Sequence, residues 1–364
     1  MTRIEQVAAL RQAIWLDYID RPLLTSGELA GLVEEGIRGV TSNPTIFERA
    51  IAGSEAYEKD LADAARAGRS AEEIYECLVL DDIRQALEIL YPVYEETDGL
   101  DGYVSLEVDP LLANDTEGTV AEARRLFDEI DRPNLLIKVP ATPAGIPAIE
   151  RLIEEGVNVN ATLIFSQSHY EAVARAYIRG LEKRAEGDKA VANLASVASL
   201  FVSRMDTAVD EMLEERGETD LQGKIAIANA KMVYQGFEGV FSGERWEALA
   251  AQGARVQRPL WASTSTKNPT YPDTLYVERL IAPHTVNTMP PGTLDAFCDH
   301  GMVATTIYSG IQNATEYLAR LDALGIDIDT VAKDLQEDGV KQFTDSFKSL
   351  LETIEKEKRG ILRA

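Results

Sequence analysis

An α/β fold closed into a single (β/α)8 barrel of the TIM type, with helical insertions and a C-terminal amphipathic helix, is what this sequence predicts. Eight short apolar runs are bounded by turn residues, the signature of strands buried on both faces of a parallel sheet. Stretches of helical periodicity separate them, and eight is the strand count that closes such a barrel. No Gly/Ser linker, internal repeat or low-complexity segment divides the 364 residues, so one domain is expected over 1–364.

The elements follow in chain order. After a polar, helical start, Ala13 to Ile19 reads as the first strand. Thr25 and Glu28 have the spacing of a capping box and predict a helix through Leu29, Leu32 and Val33, stopped by Gly36. Gly39 to Pro44 is the second strand, ended by Asn43-Pro44 because that pair favours a turn. A helical insertion over about 48–98 comes next; in it Ser70 and Glu73 form another capping box, and Ile74, Leu78, Ile83, Leu87 and Leu90 recur at helical spacing up to Pro92.

Gly102 to Val108 is the third strand, followed by a helix carrying Val120, Ala123, Leu126, Phe127 and Ile130. The fourth strand is Leu135 to Thr142. A helix with Ile146, Ile149, Leu152 and Ile153, closed by Gly156, leads to the fifth, Val157 to Phe165. The next helix is amphipathic through Val173, Tyr177 and Leu181, and its His169 reads as an ordinary packing or surface histidine. Ala195 to Phe201, Arg255 to Ser263 and His284 to Thr288 supply strands six to eight. The tail, about 330–360, sets Val340, Phe343, Phe347, Leu350, Leu351 and Ile354 on one helical face, which is expected to fold back on the body.

Composition bounds the function. Against 36 basic residues stand 61 acidic ones, a formal charge of −25 that repels nucleic acid and anionic lipid, so an anionic substrate needs a local positive site. Cys77 and Cys298 lie far apart without metal or redox spacing, as expected of free thiols in a reducing compartment. The first residues, Met1 to Glu5, lack a secretion-signal core, and no apolar run approaches the ~18 residues of a membrane span, so a cytoplasmic location is expected. His169, His284 and His300 show no metal-binding spacing. Gly217 to Lys224 has five residues between its glycines where a P-loop needs about four. No metal and no nucleotide or other cofactor is expected.

The informative residue is Lys138, set inside the apolar run Leu135-Leu136-Ile137-Lys138-Val139-Pro140. Burial disfavours the charged ammonium, and the neutral amine attacks carbonyls to give Schiff bases. Read from the strand alone, the same lysine is equally a side chain that snorkels to water or pairs with a carboxylate. Strand parity adds the context. Alternate side chains share a face, which brings Asp17, Asn43, Glu107, Lys138, Asn160 and Thr162 together from five successive strands, each near a carboxyl end where barrel sites assemble. An amine for covalent chemistry, carboxylates for proton transfer, and amides and a hydroxyl to orient a polyhydroxylated substrate suit one reaction type.

At these residues the chain resembles the transaldolases, Schiff-base-forming transferases of the pentose phosphate pathway. The matching motifs are Thr41-Ser42-Asn43-Pro44-Thr45, Ser105-Leu106-Glu107-Val108-Asp109, Ile137-Lys138-Val139-Pro140-Ala141-Thr142, Asn160-Ala161-Thr162-Leu163-Ile164-Phe165-Ser166 and Ala262-Ser263. The resemblance implies that Lys138 binds the ketose carbonyl and that Asp17 is the acid/base of carbon–carbon cleavage. It implies further that Glu107 and Thr162 position a water, that Asn43, Asn160 and Ser199 hold the dihydroxyacetone fragment, and that Arg204 and Ser263 bind phosphate. Where better-known members carry an arginine two residues after that serine, this chain has Ser265, with Lys267 following in a Ser/Thr-rich loop.

The activity so implied is transfer of a dihydroxyacetone unit from sedoheptulose 7-phosphate to glyceraldehyde 3-phosphate, giving erythrose 4-phosphate and fructose 6-phosphate. Two alternatives stay open: an aldolase releasing free dihydroxyacetone, and a non-catalytic sugar-phosphate-binding barrel. Phosphorylated sugars are the expected partners, with neither nucleic acid nor membrane, and monomer and homodimer are both compatible with the sequence.

Overall fold

The computed structural model describes residues 1–363. Its centre is a closed barrel of eight parallel strands in sequence order: β1 (Gln12–Leu16), β2 (Gly39–Thr41), β3 (Tyr103–Glu107), β4 (Leu135–Pro140), β5 (Val159–Ile164), β6 (Ser196–Phe201), β7 (Arg258–Ala262) and β8 (Thr285–Met289). Every strand residue is buried, as expected when side chains of one parity fill the barrel and the others meet the surrounding helices. One apolar cluster runs from Ile4 to Ile354.

The lower end of the barrel is closed by charge and aromatic packing. Arg258 on β7 pairs with buried Asp101 at 2.7 Å, and Trp15 Nε1 donates to the same carboxylate at 3.3 Å. The indole lies flat against Gly39, where an added Cβ would fall 2.5 Å from the ring, so only glycine permits β2 to sit there. Polar groups at the opposite, carboxyl end are therefore left for the site.

Several predicted strand boundaries move by one to three residues, and the carboxyl ends of β1 and β2 bear on the site. The first strand ends at Leu16 because Asp20 caps a helix over Arg21–Thr25, accepting from Leu23 N at 2.7 Å, and this makes Tyr18 and Ile19 a connecting turn. The second ends at Thr41 because Asn43 caps the helix Pro44–Ile51. Asp17 and Asn43 thus stand just beyond their strands.

The expected capping box of Thr25 and Glu28 is absent. Thr25 already closes the preceding helix, its hydroxyl donating to Arg21 O at 2.9 Å, and Gly27 at φ 85° turns the chain into the helix Glu28–Glu35. The box of Ser70 and Glu73 forms as expected, at the start of the helix Ala71–Glu96.

The tail is a 34-residue helix, Ile328–Ile361. It packs across the carboxyl ends of β4 and β5, where buried Gln336 donates to Ala141 O at 3.0 Å and Leu163 O at 2.8 Å. A Ser346–Thr45 hydroxyl pair at 2.9 Å and an edge-on contact of Phe347 with Tyr75 at 5.2 Å fasten it to the insertion helices. The tail is thus part of the roof over the barrel mouth.

Candidate active site

Lys138 lies on β4 with Glu107 of β3 and Asn160 of β5 as its register neighbours. Its Nζ stands 3.1 Å from Glu107 Oε2 and donates to Ser42 O at 2.8 Å. Of the arrangements that the strand alone left open, the structure has the pairing: the lysine is buried, and a carboxylate compensates it. Phe343 of the tail helix covers the ammonium, its ring centre 5.9 Å from Nζ. Desolvation raises the Glu107 carboxyl above its ordinary range, while Lys138 pulls it down.

Above the lysine opens a cavity of about 450 Å³. Asp17, Asn43, Lys138, Thr162, Ser199, Arg204, Ser263 and Lys267, eight of the ten residues that the sequence singled out, line it. Asn160 and Glu107 do not. Asn160 lies beneath the surface, receiving a hydrogen bond from Ser199 Oγ at 2.7 Å and donating to Ser105 Oγ at 3.0 Å. Glu107 is reached through Lys138 and faces a different cavity.

The hydrogen bonds already made decide what each group can still offer. Asn43 Oδ1 accepts from Ile46 N at 3.0 Å, so its amide NH2 is the part left for a ligand. Ser199 Oγ has given its proton to Asn160 and retains lone pairs. Thr162 Oγ1 is buried without a partner. Asp17 Oδ1 accepts from Thr41 Oγ1 at 2.6 Å, and Thr41 shares a further contact with Thr288 Oγ1 at 2.7 Å. Desolvation raises the Asp17 carboxyl; the Thr41 hydrogen bond and the charges of Lys138, Lys267 and Arg204 oppose it.

The rim is positive. Arg204 stacks on Phe201, its guanidinium carbon 5.1 Å from the ring centre, and Lys267 donates to Ser265 Oγ at 2.8 Å. Arg49, from the last turn of the helix after Asn43, joins them on the cavity wall. Among the described residues none of the three makes a salt bridge, in a chain of charge −25. Arg49 and the tail residues Gln342 and Phe343 escaped the sequence analysis. A signal for Arg49 existed in its place one and a half turns beyond the Asn-Pro cap, on a helix that must start at the barrel mouth.

Fold and site together define a (β/α)8-barrel protein with a buried lysine–carboxylate pair beneath a cationic mouth. The family model described as transaldolase/fructose-6-phosphate aldolase matches residues 14–354, and the chain belongs to that family. It is 50% identical over 356 residues to the transaldolase of Parafrankia sp. (strain EAN1pec), with 96% of each chain covered. It is 49% identical over 356 residues to that of Thermobifida fusca, covering 96% of this chain and 97% of the other. Against the transaldolase of Trichodesmium erythraeum it is 47% identical over 364 residues, again with 96% of each covered. No helix among the described residues is long and apolar enough to cross a membrane.

Proposed function

We propose that this chain is a transaldolase that carries a dihydroxyacetone unit on Lys138 from sedoheptulose 7-phosphate to glyceraldehyde 3-phosphate. The observation that carries the reading is the 3.1 Å pair of Lys138 and Glu107 at the base of a cavity rimmed by unpaired cations. Glu107 takes a proton from the ammonium, and the freed amine attacks the ketose C2 carbonyl. Expulsion of water, protonated by Glu107, leaves an iminium. The balance closes: ketone plus ammonium gives iminium plus water, with no net proton gained or lost.

Asp17 then removes the proton of the C4 hydroxyl, the C3–C4 bond breaks, and the iminium takes up the electron pair. Asn43 NH2 and Ser199 Oγ meet the hydroxyls of the retained three-carbon fragment, and Thr162 Oγ1 orients the attacking or departing water with Glu107. Arg204, Ser263, Lys267 and Arg49 meet the phosphate at the rim. Addition of the acceptor aldehyde reverses these steps. A cytoplasmic location suits the charge and the two free cysteines, Cys77 and Cys298.

Supplying fructose 6-phosphate with erythrose 4-phosphate tests the reading: sedoheptulose 7-phosphate and glyceraldehyde 3-phosphate should form in equal amounts. The family description also names an aldolase, so the donor alone should be assayed for free dihydroxyacetone. Release without acceptor at a rate matching transfer would assign the chain to that second reaction.

A further inference from the structure

A second cleft, of about 200 Å³, approaches the lysine–carboxylate pair from outside the substrate cavity. It lies among the insertion helix Ala71–Glu96, the segment Leu106 to Leu111 and the tail helix. Its rim includes Leu111, 53% exposed, and its inner end is Glu107, 9% exposed. Neither Glu107 carboxylate oxygen has a hydrogen-bond partner beyond the 3.1 Å ion pair of Oε2 with Lys138. A buried carboxylate oxygen left in that condition is costly unless water reaches it. Lys138 lines only the substrate cavity and Glu107 only this cleft, although the two groups touch.

We propose that this cleft is a separate route for water and protons to Glu107, through which the water expelled in Schiff-base formation leaves and the water of hydrolysis returns. The inference rests on the Schiff-base reading above. While a sugar phosphate fills the mouth, the tail helix and the substrate block that way out, yet each transfer cycle expels one water and takes one back. The walls suit the traffic. Glu72, Glu76, Asp109 and Glu122 line the cleft; Arg125, outside the lining, pairs with Glu76 at 2.7 Å and Glu122 at 2.8 Å. Among the described residues Glu72 and Asp109 make no salt bridge, so the walls stay net acidic, admit water and protons and repel anionic sugar phosphates. Water and substrate are thereby sorted by charge, the cationic mouth taking one and the acidic cleft the other.

Each cycle of iminium formation and hydrolysis exchanges the C2 carbonyl oxygen of a ketose with solvent, so the traffic can be read by mass spectrometry. Fructose 6-phosphate is incubated with enzyme in 18O water without acceptor. Two variants narrow the cleft away from the reacting groups: Leu111→Trp at the exposed rim, where folding is undisturbed, and Val79→Phe inside. Oxygen exchange and rapid-mix borohydride trapping should both slow at least five-fold, and cleavage within the adduct already formed should keep its rate. Wild-type exchange rates in folded Leu111→Trp and Val79→Phe would overturn the route. Failure of the wild-type enzyme to form any borohydride adduct would overturn the Schiff-base reading instead, so the two failures are distinct.

Discussion

Gly339 of the tail helix lies against Leu163 at the end of β5, so closely that an added Cβ would sit 2.8 Å from Leu163 Cδ2. Leu163 itself is held at φ 58°, where the β5–β6 register shifts between Ala161 and Ile164. Four residues on, one helical turn, Phe343 covers Lys138. Gly339→Val should therefore displace the roof, costing about 1–3 kcal/mol of stability by overpacking and lowering kcat/KM by roughly ten-fold or more. Urea titration with steady-state kinetics checks it. Wild-type kcat/KM in a destabilised variant would show that the roof does not serve the site.

The barrel was legible because parallel strands buried on both faces write themselves as apolar runs, and because parity placed Lys138 and Glu107 on one face. Strand ends were not, since the caps Asp20 and Asn43 stop β1 and β2 earlier than hydrophobicity does. The docking of the tail depends on Gln336, a polar residue that finds two strand-end carbonyls only after the barrel has closed. Arg49 is a different case: the Asn43-Pro44 cap marks a helix that starts at the barrel mouth, but that its last turn lies along the rim follows only from the direction the helix takes once the barrel has closed.

The cationic rim makes a graded prediction. Arg204→Ala should weaken use of phosphorylated substrates by about 1.5–3 kcal/mol, the range for charged hydrogen bonds. The more exposed Arg49 and Lys267 should each cost roughly 1 kcal/mol when changed to alanine, and less at high salt. Efficiency on an unphosphorylated ketose should hardly change. Equal losses on both substrates would assign that residue to loop structure.

Asp17 should set the acidic limb of the rate profile. Its carboxyl is raised by desolvation, and the Thr41 hydrogen bond is the largest influence pulling it back. The base form is needed for cleavage, so Thr41→Val should shift the limb to higher pH, and Lys267→Ala should shift it the same way by less. Asp17→Asn should still trap substrate on Lys138 but cleave slowly, whereas Glu107→Gln should slow trapping itself. A limb that stays in place in Thr41→Val would remove Asp17 from this role.

Away from the site, Asp206 is buried, accepting from Ala226 N at 2.7 Å and from Tyr276 OH at 2.9 Å. Desolvation pushes its carboxyl from the ordinary 3.8 up to about 7. The folded state therefore binds a proton that the unfolded chain releases, and this group's contribution to stability falls as pH rises from about 4 to about 7. Asp206→Asn keeps the shape without the titration, and should flatten that part of the stability–pH curve. Urea midpoints measured from pH 5 to 8 decide it, and parallel curves for the two proteins would contradict the assignment.

Borohydride reduction in the presence of fructose 6-phosphate tests the central claim most directly. A three-carbon or intact ketose adduct should become irreversibly fixed, and peptide mapping should place it on Lys138. Lys138→Ala should fold, lose turnover and give no adduct, and Lys138→Arg should behave alike because guanidinium stays protonated. An adduct on another lysine, or near wild-type turnover in folded Lys138→Ala, would contradict the account.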